Sequence, residues 1–170
     1  IGLNAALAPL DNPKVRLALN YALPKDEIVA TILQGYGTKL EAIMPGFYPG
    51  ATDAYFKYGY DVEKAKALLA EAGFADGFST SLAYNAGNPI EEPIAIMYQT
   101  EEVDKLIGTS LSTLDEAERM AAVDAAQKVL GEEAPWALIA NTGFHLAHGK
   151  DIGGIVYYTS NRLNFQDYKR

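Results

Sequence analysis

This chain of 170 residues contains no cysteine, few basic side chains and no long hydrophobic stretch. Without cysteine it can form neither a disulfide bond nor a thiolate metal site. Its 14 lysine and arginine residues stand against 22 aspartate and glutamate residues, so the formal net charge is −8. A surface of this charge argues against binding to a phosphate backbone, and we expect no nucleic-acid partner. No apolar run approaches the roughly 20 residues that a membrane-spanning helix needs.

The sequence also lacks the motifs of common enzyme classes. It contains no G-x-S-x-G, no cysteine nucleophile and no glycine-rich phosphate loop. The acidic residues between positions 115 and 133 could form carboxylate pairs for acid–base catalysis, and a hydrolase using them is one hypothesis. Their spacing is more typical of a solvated helix face with acids in its first turn. We therefore predict that the protein is not an enzyme and needs no cofactor.

His145 and His148 form an H-x-x-H pattern, which on a helix could present two imidazoles to one metal ion. The flanking apolar residues instead favour a strand, where residues three apart face opposite sides. Asp151 is the nearest further residue of metal-ligand type. We predict no metal site here, because zinc sites need three or four converging ligands.

The clearest element is an amphipathic helix that begins after Asp61 and ends at Gly73. Aspartate caps helices by accepting a hydrogen bond from a free amide, and glycine ends them because it adopts a left-handed conformation cheaply. Val62, Ala65, Leu68, Leu69 and Ala72 recur at helical spacing and form one apolar stripe. We expect Leu68 and Leu69 to be among the most buried residues of the protein.

Other segments predict helices that alternate with strands. Asn12 caps a helix with Pro13 at its first position, and its predicted buried face is Val15, Ala18, Leu19 and Ala22. A second helix runs from Pro24 to Gly35, and a capping box at Thr113–Glu116 begins a helix that ends at Gly131. A further helix starts near Ile90, and the predicted strands are Ile1–Leu7, Phe78–Tyr84, Trp136–Ala140, Phe144–His148, Gly154–Tyr158 and Leu163–Phe165. This alternation indicates an α/β fold.

The apolar pattern changes side between Gln99 and Glu102. At about 100° per residue, one face of the projected helix carries the apolar residues before this point and the opposite face carries those after it. The first set is Ile90, Ile94, Met97 and Tyr98, and the second is Val103, Leu106 and Ile107. A single helix rarely changes its buried side midway. We therefore predict a junction or gap near residues 99–102, where an internal segment is missing.

Two features allow both a functional and a structural interpretation. The glycine- and proline-rich loop from 35 to 60 carries Phe47, Tyr48, Tyr55, Phe56, Tyr58 and Tyr60. These rings could line a ligand cleft, or they could pack as a cluster beneath the loop. Arg16 could bind a ligand carboxylate, although a structural ion pair inside the fold is the simpler hypothesis.

Five segments resemble, in order, the solute-binding proteins of peptide-type ABC importers. Tyr60-Asp61-x-x-Lys64-Ala65-x-x-Leu68-Leu69-x-x-Ala72-Gly73-Phe74 carries the resemblance most clearly. The others are residues 12–23, which resemble the family's "VRxALxYAI" helix, and residues 35–38, 102–106 and 119–135. The chain is thereby identified as a member of the family 5 group that includes dipeptide-, oligopeptide- and nickel-binding proteins. The resemblance covers nearly the whole chain.

The resemblance implies that residues 1–170 form a single α/β lobe, the C-terminal lobe of a periplasmic-binding-protein-like fold with a mixed sheet flanked by helices. The parent would be an extracytoplasmic substrate-binding component that captures peptides or similar small solutes and delivers them to a membrane ABC permease. The chain opens at Ile1 without a signal peptide, which we interpret as a fragment or processed form. The N-terminal lobe would be a further partner, and a lipid anchor on the full-length protein is one option.

The ligand site is expected only in part on this chain. In the family, the aspartate that pairs with a peptide amino terminus lies in the segment that is missing here. Tyr48, Tyr55, Trp136 and Asn141 are our candidate ligand-binding residues, with Thr142 beside them. The alternative hypothesis is a stand-alone, non-catalytic scaffold lobe that binds no ligand.

Overall fold

The computed structural model describes residues 1–80, 101–142 and 149–154. Their regular elements are α1 (Pro13–Tyr21), α2 (Lys25–Glu27) running into a π-helical turn (Ile28–Ile32), β1 (Gly37–Lys39), α3 (Val62–Glu71), α4 (Glu101–Ser112), α5 (Glu116–Glu133) and β2 (Ala140–Thr142). Helix α3 packs on α1, and α4 packs on α5. β1 and β2 pair antiparallel, with Gly37 opposite Thr142 and Lys39 opposite Ala140.

Helix α1 begins as the sequence predicts. The Asn12 side chain accepts a hydrogen bond from the Lys14 amide at 2.9 Å, and Pro13 occupies the first position. Val15 and Ala18 are buried, but the other half of the predicted face is wrong, since Leu19 is half-buried and Ala22 is exposed. Arg16 and Asn20 are buried in their place. Helix α1 thus turns a polar edge toward the chain that follows α5.

Helix α3 has the predicted ends but not the predicted burial. Asp61 accepts a hydrogen bond from the Lys64 amide at 2.8 Å, and Gly73 has a φ of +87° just beyond the helix. Leu68 and Leu69 are only half-buried, so the prediction that they are among the most buried residues is wrong. The physical reason is that, among the described elements, α3 packs mainly against one neighbour, α1, and Ala65 is the one residue of α3 that is fully buried.

Helix α5 starts two residues later than the predicted capping box. Asp115 is the cap and accepts from the Glu118 amide at 2.9 Å, while the Thr113 hydroxyl hydrogen-bonds to the Glu118 carboxylate. Glu116 instead pairs with Arg119 at 2.6 Å. Asp115 is as good an acceptor for a free amide as threonine, so the helix can begin at either residue. The helix then continues beyond Gly131 to Glu133.

The strand predicted over Ile1–Leu7 is present only as a short contact. The Leu3 amide donates to the Pro135 carbonyl, and the Ala137 amide donates to the Ile1 carbonyl, both at 2.9 Å. The chain turns away after Leu3. The predicted strand Trp136–Ala140 likewise pairs only at its two ends, with Gly2 and with β1. Within the described ranges the sheet is therefore a small antiparallel pair rather than a mixed sheet.

The core joins elements from both sides of residues 99–102. Its buried members are Phe56, Tyr58, Val103, Leu130, Ala134 and Leu138. The loop after β1 is fastened to α5 by Gln127, which donates to the Gly50 carbonyl at 2.8 Å and accepts from the Thr52 amide at 3.2 Å. Tyr58 also donates its hydroxyl to the Gly131 carbonyl. Phe56 and Tyr58 therefore pack beneath the aromatic loop, as the structural interpretation predicts, and a ligand cleft lined by the other rings stays a prediction.

Gly131 lets this loop approach α5 closely. A Cβ at this position would lie 2.5 Å from the Tyr55 carbonyl oxygen, whereas a Cβ at Gly108 of α4 would meet no atom within 4 Å. We expect Gly131→Ala to lower the free energy of unfolding by about 2 kcal/mol, because backbone must move. Gly108→Ala is the control and should be neutral or stabilising by up to about 1 kcal/mol. Urea denaturation of both variants checks this, and equal effects would contradict it.

Several predictions lie outside the described residues. These are the helix near Ile90, the His145–His148 pair, the strands at 144–148 and 163–165, most of the strand at 154–158, and residues 81–84 of the strand predicted at Phe78–Tyr84. Residues 78–80 of that last strand are described and are not in a strand.

Candidate functional site

A concave site lies where β1 runs into the loop that follows it. The cavity has a volume of about 390 Å³. One wall is the chain from Lys39 to Gly46, and the remaining walls are Asp53 and Asn141. Asn141 reaches this place because β2 pairs with β1, which sets Asn141 opposite Thr38. The hydrogen bond from the Leu40 amide to the Ile139 carbonyl, at 3.1 Å, extends the pairing to the cavity edge.

The cavity wall carries charges of both signs. Lys39 Nζ lies 3.4 Å from an Asp26 carboxylate oxygen and 3.7 Å from Glu41 Oε1. Asp53 accepts from Lys57 Nζ at 2.9 Å, and this hydrogen bond lowers the pKa of the Asp53 carboxyl. The Glu41 side chain is 31% exposed, and in the part of the chain that the structure describes its carboxylate has no hydrogen bond. Glu41 therefore keeps acceptor capacity for a bound group.

Two exposed aromatic residues follow the cavity wall in the sequence. Phe47 is 66% exposed and Tyr48 is 51% exposed, and their ring centroids are 4.7 Å apart. They directly follow Pro45 and Gly46 of the cavity wall. The Tyr48 amide donates to the Pro45 carbonyl at 3.0 Å, which closes a tight turn. We call Phe47 and Tyr48 the aromatic pair.

The four candidate ligand residues fall into two pairs. Tyr48 belongs to the exposed aromatic pair and Asn141 lines the cavity. Tyr55 and Trp136 are partly buried and pack against the hydrophobic core instead. The Tyr55 hydroxyl donates to Asp124 at 2.9 Å. The structure therefore places Asn141 in the cavity lining and Tyr48 on the exposed turn that follows the cavity wall, and it gives Tyr55 and Trp136 contacts within the fold.

The sequence analysis missed the charged residues of the cavity wall. Lys39, Glu41 and Asp53 belong to no motif, and charged side chains in a loop are ordinarily solvated. Only the strand pairing of residues about a hundred positions apart assembles them around Asn141. No sequence signal of the kind we used could have singled them out.

Lys25 is an unusual residue beside this wall. It is 4% exposed, and its ammonium group has no hydrogen-bond partner among the described residues. Its Nζ lies 5.4 Å from the centroid of the Tyr58 ring. Burial lowers the pKa of Lys25, and the nearby Glu41 carboxylate partly opposes this effect. Burial also raises the pKa of Tyr58 to about 12.

Arg16 has the structural role that we favoured. It is 1% exposed and donates from Nε to the Glu133 carbonyl and from Nη2 to the Glu133 carboxylate, both at 2.7 Å. Its Nη1 donates to the carbonyls of Leu10 and Asp11. All of these acceptors belong to the fold, so the ligand-clamp hypothesis for Arg16 is not supported.

Within residues 1–80, 101–142 and 149–154, no three His, Asp or Glu side chains come together as a metal site. A membrane-crossing helix is also absent from that part of the chain, because none of its helices combines the necessary length and apolar character.

Comparison with known proteins gives a consistent result. The sequence model for bacterial extracellular solute-binding proteins, family 5 (middle region), matches residues 1–131. The glutathione-binding protein GsiB of Escherichia coli O1:K1 is 32% identical over 239 positions, covering 98% of this chain and 46% of its own length. Heme-binding protein A of Haemophilus influenzae is 44% identical over 93 residues, covering 52% of this chain and 17% of its own.

Among solved structures, the dipeptide-binding protein of Pseudoalteromonas sp. SM9913 in complex with Met-Leu superposes with a TM-score of 0.79 at 20% identity. The match covers 99% of this chain and 47% of that protein. The α/β fold predicted from the sequence is thereby confirmed, and the family match confirms the predicted resemblance. The chain spans less than half the length of these relatives.

Proposed function

This chain belongs to the bacterial extracellular solute-binding proteins of family 5, and from that membership we propose that it is part of the substrate-binding component of an ABC importer. The match over residues 1–131 is the observation that carries the proposal. Proteins of this kind carry solutes rather than transform them, in agreement with the expectation that the chain is not an enzyme. The family is extracellular. A lipid anchor is one way in which the full-length protein could be held at the outer face of the membrane, and we propose it only as that.

Peptides or similar small solutes are the proposed cargo. The relatives include a glutathione-binding protein and a dipeptide-binding protein whose structure contains Met-Leu, and both ligands are short peptides. The heme-binding relative indicates that other solutes are within the reach of this scaffold. In our proposal the loaded protein closes by hinge motion and delivers its cargo to a membrane permease.

We propose that residues 1–170 form a single lobe, whose partner is an N-terminal lobe of the same protein. The shared core supports this, because Tyr58, Val103 and Leu130 join parts of the chain on both sides of residues 99–102. The alignment with the Escherichia coli protein runs over 239 positions, more than the 170 residues present here, so that relative has residues without a counterpart in this chain. Their absence near residues 99–102 stays a prediction.

The residues proposed to face the ligand remain Tyr48, Tyr55, Trp136 and Asn141. Exposure and the cavity support Tyr48 and Asn141. Tyr55 and Trp136 would need to act from the edge of the core, where both are still partly accessible.

We expect this chain alone to bind peptides no more tightly than about millimolar, or −4 kcal/mol. A two-lobe protein buries its ligand from both sides, and one lobe keeps about half of the contacts while the entropic cost of capture is unchanged. Calorimetry with a mixed pool of di- to pentapeptides measures this. Micromolar binding would show that one lobe is enough.

The matching test of the transport function uses the longer protein that contains these residues. It should bind members of the same peptide pool at least about a hundredfold more tightly than the 170-residue chain, since two lobes exclude water from the ligand. Failure of the longer protein to bind any peptide or related solute would contradict the proposal.

A further inference from the structure

We propose that Asp76–Gly77 is a modification site, at which Asp76 converts without an enzyme into L-isoaspartate through a cyclic succinimide. Aspartate–glycine and asparagine–glycine are the dipeptides in which this reaction is least hindered, and Asp76–Gly77 is the single pair of either kind in the 170 residues. The modified chain would be a substrate for carboxyl methyltransferases that recognise L-isoaspartyl groups. The site is independent of the solute that the protein carries.

The reaction joins two groups that are neighbours in the chain. The Gly77 amide nitrogen attacks Cγ of the protonated Asp76 carboxyl group, and a C–O bond breaks, so that one water leaves with the amide proton. Water then opens the five-membered ring. Addition at Cγ restores aspartate, whereas addition at the main-chain carbonyl carbon leaves the Gly77 nitrogen bonded to Cγ as isoaspartate. The product contains the same atoms as the starting chain.

Gly77 leaves the attacking nitrogen accessible. Because glycine has no Cβ, no side chain shields its amide from the preceding carboxyl group. The surroundings are open as well, since a Cβ placed on Gly77 would meet no atom within 4 Å, and both residues are exposed. The φ of Gly77 is +83°, a left-handed conformation in which other residues are strained. The turn therefore favours glycine at the position where the reaction also needs it.

The Asp76 carboxylate is free to approach that nitrogen. It has no hydrogen bond or ion pair with another residue in the described ranges. Five other described aspartates are engaged by a lysine ammonium group, a tyrosine hydroxyl or a helix amide, and they are Asp26, Asp53, Asp61, Asp115 and Asp124. Each of these is also followed by a residue with a side chain. Both local geometry and sequence therefore single out Asp76.

One hydrogen bond opposes the reaction. The Gly77 amide donates to the Phe74 carbonyl at 3.0 Å and must release it before the nitrogen can attack. This bond closes a surface turn beyond the end of α3, and such turns open locally at little cost in free energy. The fold therefore slows the reaction but does not prevent it.

The product would change the chain that leaves α3. Isoaspartate runs the main chain through Cβ and Cγ and so lengthens it by one carbon. The turn closed by Phe74 and Gly77 then no longer has its original geometry. The edge-to-face contact between the rings of Phe74 and Phe78, with centroids 5.7 Å apart across this turn, would be lost with it.

The test is incubation of the folded 170-residue chain in mildly acidic buffer at body temperature for several weeks. Digestion with a protease that cuts before aspartate but not before isoaspartate should give a growing uncut fraction at Asp76. An L-isoaspartyl methyltransferase should label the same peptide, and a minor species lighter by one water should mark the succinimide. The peptides that contain Asp26, Asp61 and Asp115 are internal controls. Labelling of these peptides equal to that at Asp76 would overturn the proposal.

Two variants test the ring chemistry. Asp76→Glu keeps the charge but would need a six-membered ring, which forms much less readily, so the labelling at this position should be lost. Asp76→Asn releases ammonia instead of water, so at neutral pH it should deamidate several-fold faster than the unchanged chain isomerises. Both changes lie at an exposed side chain, and unchanged circular dichroism spectra will show that the variants fold. Persistent labelling of Asp76→Glu at the same peptide would contradict the succinimide route.

The unchanged chain unfolded in urea is the positive control, because its Gly77 amide is no longer held by Phe74. It should be labelled at Asp76 faster than the folded chain. If the unfolded chain is fully labelled there while the folded chain carries no label, the native turn protects the site and the proposal is wrong.

Discussion

Replacing Arg16 by methionine should lower the free energy of unfolding by about 3 kcal/mol, one of the largest effects expected of any single substitution in this chain. Its guanidinium satisfies three backbone carbonyls and one carboxylate oxygen while nearly all of it is removed from water. Methionine fills much of the volume but donates no hydrogen bond. The penalty is therefore mostly that of carbonyls left unpaired near the junction of α1 with the end of α5.

Lys14→Met is the matched control for this prediction. Lys14 lies on the same helix and pairs with Glu71 at 2.8 Å, but both side chains are about half exposed. Exposed ion pairs contribute about 0–1 kcal/mol, so the control should change stability little. Chemical denaturation of both variants gives the comparison. A loss below about 1 kcal/mol for Arg16→Met would mean that water replaces the guanidinium at little cost.

The helix ends show what the sequence can predict about this fold. Asn12, Asp61 and Gly73 act within one helical turn, and the chemistry that makes them caps or terminators depends on no distant residue. The capping box at Thr113 failed for a local reason too, because Asp115 competes for the same role. Element type and approximate position could therefore be predicted, and the starting residue of α5 could not.

Burial depends on partners that the sequence does not name. Asn20 is fully buried because its amide donates to the Trp136 carbonyl at 3.0 Å and accepts from the Leu138 amide at 3.3 Å. These partners are more than a hundred positions away, so a helical pattern that counts apolar residues assigns Asn20 to solvent. The same limitation explains Leu68 and Leu69, which carry a strong apolar pattern but find no second helix to cover them among the described residues.

Some residues of the candidate site could be predicted from the sequence and others could not. Tyr48 and Asn141 are candidates by residue type alone; Asn141 lines the cavity, and Tyr48 is exposed on the turn that follows the cavity wall. Glu41 was not a candidate, because one acid in a loop carries no pattern. Its place in the cavity wall comes from the pairing of β1 with β2, and its carboxylate lies 3.7 Å from Lys39 Nζ.

Lys25→Met should raise the free energy of unfolding by about 2 kcal/mol at neutral pH, since it removes a buried ammonium that has no hydrogen-bond partner among the described residues. The contact with the Tyr58 ring offsets part of the burial cost but cannot replace hydration. A methionine keeps the length of the side chain and packs against the same ring. Lys64→Met is the control, because Lys64 also lies over a ring, that of Tyr21 at 4.0 Å, but is exposed. It should be neutral or slightly destabilising.

The pH dependence distinguishes a charge penalty from better packing. The folded pKa of Lys25 is held below its ordinary 10.5 by burial, with Glu41 and Asp26 opposing and Lys39 adding to the shift. Between the folded pKa and 10.5 the unfolded chain binds a proton that the folded chain has released, so this group's contribution to stability rises with pH. The advantage of Lys25→Met should therefore be complete below the folded pKa and shrink as pH approaches 10.5.

Tyr58, whose pKa of about 12 makes stability fall above pH 10, is present in both proteins and cancels in the comparison. Paired urea titrations from pH 7 to about 10.5 measure the difference, and an advantage that stays constant over this range would assign it to packing rather than to the buried charge.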